Sequence, residues 1–196
     1  GGVDLGRPVT APLRAELERA LVEYKVLFFR DQNIDTVQHA RFAANFGELE
    51  VHTFLPANED HPEVIRFAKD AEERGVENIW HSDVSWRQMP SLGSMLRAIE
   101  VPAVGGDTVW CDMEAAYDGL DDAVKERIAD LEAVHDFSHT FGLALSPEAR
   151  SEQQKKFPPA SHPVVRHHPV SGRKCIYVNR IFTSHIVGLS DHESRE

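Results

Sequence analysis

Ile79-Trp80-His81-Ser82-Asp83-Val84-Ser85-Trp86 is the stretch on which the fold reading turns. It is apolar at both ends, carries a histidine and a carboxylate two apart, and is followed by a breaker at Pro90. Those features predict a strand over 79–86. Alternate side chains of a strand share a face, so His81 and Asp83 point the same way. On a helix they would stand about 200° apart and could not meet. An imidazole nitrogen beside a carboxylate oxygen can grip one metal ion. On spacing alone a plainer alternative is favoured, namely a hydrogen bond between the two side chains or a capped turn. Eleven histidines and 32 acids in 196 residues give roughly two His-x-acid pairs by chance. The chain holds two. The other, His61-Pro62-Glu63, lies in an acid-rich loop and reads as solvated surface.

A His-x-carboxylate pair joined by one more histidine is the facial triad of non-haem iron(II) oxygenases, which leaves coordination positions open. The remaining histidines supply no obvious third member. His135 and His139 have the spacing of a helical zinc pair, but Val134–Phe137 alternates like a strand. His167 and His168 would face opposite sides of a strand. His39 is expected on the outer side of its helix. His52 suits a pocket or a surface equally. Gly105-Gly106-Asp107-Thr108 is a turn entering a strand, and the Thr108 hydroxyl can donate to a carboxylate. No phosphate loop, dinucleotide fingerprint or nucleophile elbow occurs in the sequence.

Outward from these residues the chain reads as helices followed by strands. Thr10 and Pro12 open a helix with Leu13, Leu17 and Leu21 on one face. Lys25–Arg30 reads as a buried strand and Asp31-Gln32-Asn33 as a turn. Asp35 caps a second helix whose inner face is Val37, Ala40, Ala43 and Phe46, stopped by Gly47. Strands are expected at Val64–Phe67, Leu92–Ile99, Thr108–Cys111 and Ala133–Phe137. An exposed loop is expected at 69–75, a helix after Asp121 and a short helix within 146–160. Pro163–Arg166 and Lys174–Val178 bracket Ser171-Gly172 as a hairpin. Ser190-x-x-Glu193 is a capping box with three residues after it. Together with the abrupt Gly1-Gly2 start, that creates the expectation of one domain over 1–196 whose natural extent passes Glu196.

Composition sets the outer bounds. The chain is 41% hydrophobic with a formal charge of −11, so it can fold around a core. The acidic balance repels phosphate backbones and excludes a general nucleic-acid binder. No apolar run approaches the ~18–20 residues of a membrane span. Two cysteines, Cys111 and Cys175, fit a reducing compartment and predict a cytoplasmic protein.

Several ordered motifs together carry a more specific resemblance. They are Val26-Leu27-Phe28-Phe29-Arg30-Asp31-Gln32, Phe46-Gly47-Glu48-Leu49, Trp80-His81-Ser82-Asp83-Val84, Gly105-Gly106-Asp107-Thr108-Val109-Trp110, His135-Asp136-Phe137, His162-Pro163-Val164-Val165-Arg166 and His168-Pro169-Val170-Ser171-Gly172. In these the chain resembles the taurine dioxygenase family of iron(II)/α-ketoglutarate-dependent dioxygenases. The resemblance implies a mainly β fold with flanking helices, built on a double-stranded β-helix or jelly-roll core that is incomplete at the C-terminus. It implies iron(II) held by His81 and Asp83, which are also the catalytic residues, and α-ketoglutarate as cosubstrate bound by Thr108. It matches His52, Phe141 and Phe182 to substrate-binding positions. The family's asparagine near the metal strand aligns at Glu77, with Asn78 one place away as the candidate. A third iron ligand and the α-ketoglutarate arginine would lie past Glu196. His162 and Arg173 mimic their spacing but fall in the earlier hairpin segment, and are rejected.

Leu55 stands where the taurine pocket has a tyrosine, which favours an alkyl sulfonate, a sulfate ester or another organic acid. The expected partners are a small organic anion and dioxygen, with no nucleic acid, no membrane and a homo-oligomeric state. The rival readings are a cupin-like metal-binding protein without oxygenase activity and a catalytically inert binding module.

Overall fold

The computed structural model describes residues 2–68 and 79–196. They form two compact units, one of residues 2–68 and 92–110, the other of residues 79–91 and 111–196. The loop expected at 69–75 lies outside the described residues.

The first unit is built on two helices. Helix α1 (Ala11–Tyr24) starts where the Thr10 side chain accepts from the Leu13 amide, with proline in its first turn. Helix α2 (Thr36–Ala43) starts with a reciprocal capping box between Asp35 and Gln38. Leu5, Leu17, Ile34 and Phe42 make the core, with Val3, Val9, Leu13, Leu27, Phe29, Phe46 and Met95 packed against it. Phe42 stands edge-on to Phe29 and Phe46, at 5.7 and 5.5 Å between centroids. The Gln32 side chain accepts from the Leu5 amide and donates to the Val3 and Arg30 carbonyls, stitching the N-terminal segment to the turn after residue 30.

Several expected elements of this unit are corrected. The inner face of α2 is Ala40 and Phe42, while Val37 is exposed. The helix ends four residues before Gly47. Residues 25–30, 92–99 and 108–110 belong to no strand, and 64–67 contributes one isolated bridge, Ala57 to Ile65. At 25–30 the alternation is real, for Leu27 and Phe29 face the core while Phe28 is exposed. What is missing is a partner, and a strand is defined by its ladder rather than by its alternation. His39 is half-buried, with its Nε2 enclosed and a hydrogen bond from its ring to the Met95 backbone, so the outward placement is also corrected.

The second unit carries the sheets. Strands β1 (Glu132–His135), β2 (Ala160–Pro163) and β5 (Thr183–Ile186) form an antiparallel sheet in the order β2-β1-β5. Register pairs His135 with Ala160 on one side and with Thr183 on the other, with an irregularity after Val134. Strands β3 (Val165–His167) and β4 (Lys174–Ile176) form the expected hairpin, with Gly172 at φ +70° in its loop. Helices α3 (Met113–Asp118), α4 (Asp122–Ile128), α5 (Pro147–Lys156) and α6 (Asp191–Arg195) flank these strands in the chain. The last begins with the capping box read at Ser190 and Glu193. β structure with flanking helices is therefore present, but the described strands do not themselves close into a jelly roll. Arg173 donates to buried Glu114 at 2.9 Å and to Asp118 at 2.6 Å, while Ser171 donates to Glu114, which fastens the hairpin to α3. Among the described residues no helix is long and apolar enough to cross a membrane.

The stretch 79–86 is not a strand. Residues 83–86 form a turn in which the Arg87 amide donates to the Val84 carbonyl and Val84 takes φ +46°. The second half of the stretch is apolar because the turn is buried, with Val84, Ser85 and Trp86 at 6%, 0% and 1% exposed, whereas Ile79 and Trp80 are exposed. Burial without a ladder gives the same apolar pattern as a strand.

Candidate functional site

The turn brings His81 and Asp83 together by a different route from the one expected. His81 Nε2 lies 3.2 Å from Asp83 Oδ1, with side chains 32% and 61% exposed. His81 Nδ1 lies 2.9 Å from the Ile79 carbonyl. A carbonyl only accepts, so Nδ1 carries the proton and Nε2 of a neutral ring presents its lone pair to the carboxylate. Two lone-pair donors at that separation need a cation between them, either a second ring proton or a metal ion. Metal bonds of about 2.1 Å at right angles put adjacent ligand atoms about 3 Å apart, so the pair fits the edge of an octahedral site. Among the described residues no third His, Cys, Asp or Glu joins them as a cluster.

One flank of this pair is aromatic. Phe182, 4% exposed, stands edge-on to the His81 ring at 6.5 Å between centroids, and Phe141 stacks on Phe182 at 6.1 Å. His81, Asp83, Phe182 and Phe141 thus form one group within the second unit.

His52 and Thr108 belong to the first unit. His52 is half-buried, and its Nδ1 accepts from the Phe54 and Leu55 amides, each at 3.2 Å. Those two donors place the ring proton of the neutral form on Nε2. Thr108 is exposed, two residues after Gly105 and Gly106 at φ +82° and +73°. Asn78 lies outside the described residues. His162 and Arg173 stay apart from the pair in role: His162 is buried on β2 against the Arg87 carbonyl, and Arg173 is held by Glu114 and Asp118.

Sequence reasoning missed the polar cluster behind the turn. Ser85 Oγ lies 3.0 Å from His135 Nδ1 and accepts from Asn179 Nδ2 at 3.0 Å. Burial, and next the neighbouring His162, push His135 down to about 4. Burial also lowers His162. The available signal was the buried–exposed alternation of β1, which turns Ala133 and His135 inward together.

Comparison with known proteins gives a consistent picture. The family described as "Taurine catabolism dioxygenase TauD, TfdA family" matches residues 1–196. An α-ketoglutarate-dependent 2,4-dichlorophenoxyacetate dioxygenase of Burkholderia sp. (strain RASC) is 35% identical over 92% of this chain and 66% of its own. An α-ketoglutarate-dependent sulfate ester dioxygenase of Pseudomonas putida is 32% identical over 99% of this chain and 66% of its own. The crystal structure of AAD-2 in complex with Mn(II) and N-oxalylglycine superposes with a TM-score of 0.75 at 34% identity, covering 100% of this chain and 69% of that one. The chain thus spans just under two thirds of the length of these curated relatives.

Proposed function

The chain belongs to the taurine catabolism dioxygenase TauD, TfdA family, and from that premise we propose that it acts as an iron(II)/α-ketoglutarate-dependent dioxygenase on a small organic anion. The observation that carries this reading is the 3.2 Å approach of His81 Nε2 to Asp83 Oδ1, with the Ile79 carbonyl fixing the ring tautomer. In this reading His81 and Asp83 hold iron(II) on a jelly-roll scaffold. When bound, iron(II) supplies the redox chemistry that couples oxidative decarboxylation of α-ketoglutarate to insertion of one oxygen atom into a C–H bond. The balance is substrate, α-ketoglutarate and dioxygen in, and hydroxylated substrate, succinate and carbon dioxide out.

The other residues bind and orient. Thr108 donates its hydroxyl to a carboxylate of α-ketoglutarate. His52, with its Nδ1 occupied by two amides, directs Nε2–H toward the anionic group of the substrate, and Asn78 assists it. Phe182 and Phe141 shield the reacting carbon from water. The names of the relatives, one for a sulfate ester and one for 2,4-dichlorophenoxyacetate, support the organic-anion class. Leu55, in place of a hydroxyl-bearing tyrosine, favours an alkyl sulfate, alkyl sulfonate or aryloxy acid over taurine. Hydroxylation at a carbon bearing sulfate or sulfonate yields a product that releases the inorganic anion. The acidic balance and the two cysteines, which are not bridged, support a cytoplasmic protein without a nucleic-acid partner; a homo-oligomeric state without a membrane partner belongs to the same proposal.

The test is anaerobic addition of iron(II) and α-ketoglutarate, followed by air and a panel of sulfonates, sulfate esters and aryloxy acids. A visible charge-transfer band and substrate-dependent succinate are expected, and His81→Ala is expected to lose both. No band and no succinate from the unaltered protein, or an unchanged His81→Ala, would overturn the proposal.

A further inference from the structure

We infer that Ser85, His135 and His162 form a positioning clamp that holds the His81–Asp83 pair in its metal-binding geometry. The inference rests on the reading of that pair as a metal site.

The turn at 83–86 needs such a clamp. Val84 sits at φ +46°, a region that β-branched residues strongly avoid. The turn's own hydrogen bond, from the Arg87 amide to the Val84 carbonyl, does not by itself offset that strain. A strained backbone persists where the surroundings over-determine it. Here the surroundings are a buried polar cluster joined to β1, β2 and the segment before β5.

The donors and acceptors of the cluster can be followed one by one. Asn179 Nδ2 donates to Ser85 Oγ at 3.0 Å. Its Oδ1 accepts from the amides of Ile181 and Phe182, so the amide orientation is fixed. Ser85 Oγ therefore spends one lone pair on Asn179 and turns its own proton to His135 Nδ1, 3.0 Å away. A hydrogen bond links the His135 ring to the Tyr177 backbone, and His135 Nε2 lies 3.4 Å from Thr183 Oγ1. His162 Nε2 lies 3.0 Å from the Arg87 carbonyl, and a further hydrogen bond links its ring to the Ser85 backbone. One histidine thus holds the turn by a side chain and the other by its carbonyls.

The two rings meet at 5.3 Å and Tyr177 packs on both, at 5.7 and 5.4 Å. Trp86 anchors the far end of the turn against Phe137 and Phe157. Asp83 is two residues from Ser85, so the clamp fixes the carboxylate through the backbone without touching the metal. Groups that orient metal ligands from behind typically change affinity by about 10- to 100-fold when removed.

The experiment is a Mn(II) titration of the purified protein followed by the loss of the free-ion EPR signal, with thermal unfolding recorded with and without Mn(II). Ser85→Ala is expected to bind Mn(II) about tenfold or more weakly while still unfolding cooperatively. Its melting temperature should rise less on Mn(II) addition than that of the unaltered protein. His135→Gln, whose amide can accept from Ser85 and donate to Tyr177, should recover most of the affinity that His135→Leu loses. Gln154→Ala removes a hydrogen bond to Ser138 elsewhere in the same unit and should leave Mn(II) affinity unchanged. Should Ser85→Ala fail to fold, the His135→Gln and His135→Leu pair carries the same comparison. Equal Mn(II) affinity in Ser85→Ala and the unaltered protein overturns the clamp and leaves the metal site standing. Equal weakening in Ser85→Ala and Gln154→Ala also overturns it, because the effect would then be general destabilisation. No Mn(II) binding by the unaltered protein removes the metal reading and the clamp with it.

Discussion

At the scale of single residues, neutral buried imidazoles shape the second unit. His135 is fully buried, and burial followed by the nearby His162 lowers it from 6.5 to about 4. His162 is lowered in the same direction, again chiefly by burial. In the unfolded chain each ring takes up a proton near pH 6.5, whereas folded His135 resists until about pH 4. Between those limits the unfolded state binds more protons, so stability is complete above pH 6.5 and falls as the solution is acidified. From pH 6.5 to 5 the loss from His135 is on the order of 2 kcal/mol. Urea midpoints at pH 7 and pH 5 check this, and His135→Gln should flatten the difference; an equal slope in the variant would show that other groups govern it. The pairing of His81 with Asp83 was legible from residue type and spacing, because any local conformation that puts the two on one side satisfies it. The Ser85–His135–His162 cluster was not legible, since Ser85 lies 50 and 77 residues before the two histidines, which are themselves 27 apart, and nothing local marks the three as neighbours.

At the scale of elements, most helices were readable and most strands were not; α3 was missed, and Asp121 precedes α4 without a side-chain cap hydrogen bond. Helix starts carry their own chemistry: Thr10, Asp35, Ser146 and Ser190 each cap with a side-chain oxygen on a backbone amide. Such caps lie within three residues of what they stabilise. Asp35→Ala is therefore expected to lower stability by about 1 kcal/mol, read as a shift in urea midpoint, while Asp35→Ser keeps most of it. No shift for Asp35→Ala would mean that packing of Ala40 and Phe42 alone sustains α2. Strands lack this locality. Lys25–Arg30, Leu92–Ile99 and Ile79–Trp86 have strand-like composition, yet none forms a ladder among the described residues. The expected strand Ala133–Phe137 has no stronger composition, yet its first three residues do pair, within β1 (Glu132–His135), with Ala160–Pro163 and Thr183–Ile186, while Phe137 opens a 3-10 turn. The difference lies in partners about 30 and 50 residues away, which periodicity does not encode. The β3–β4 hairpin was readable because its turn, with Gly172 at positive φ, is itself local.

At the scale of the whole molecule, charge is the property that bears on function. The net charge is −11, and acidic side chains outnumber basic ones in both compact units. α-Ketoglutarate and the proposed organic substrates are anions, so they approach a surface that repels them. In the proposed reading, short-range groups such as His52 and Thr108 act against that field. The balance depends on screening: the Debye length is about 30 Å at 0.01 M ionic strength and about 8 Å at 0.15 M. At the lower value the whole acidic surface depresses the local anion concentration; at the higher value only residues lining the site are felt. KM for α-ketoglutarate is therefore expected to fall as inert salt is raised from 0.01 to 0.15 M, with kcat nearly constant, because screening alters encounter and binding rather than the bonded chemistry. Initial rates at the two ionic strengths, with chloride and a bulkier inert anion compared to exclude competition, make the measurement. A KM that rises with both salts would mean that a local cationic site outweighs the acidic surface, and would place the governing charge at the site rather than across the molecule.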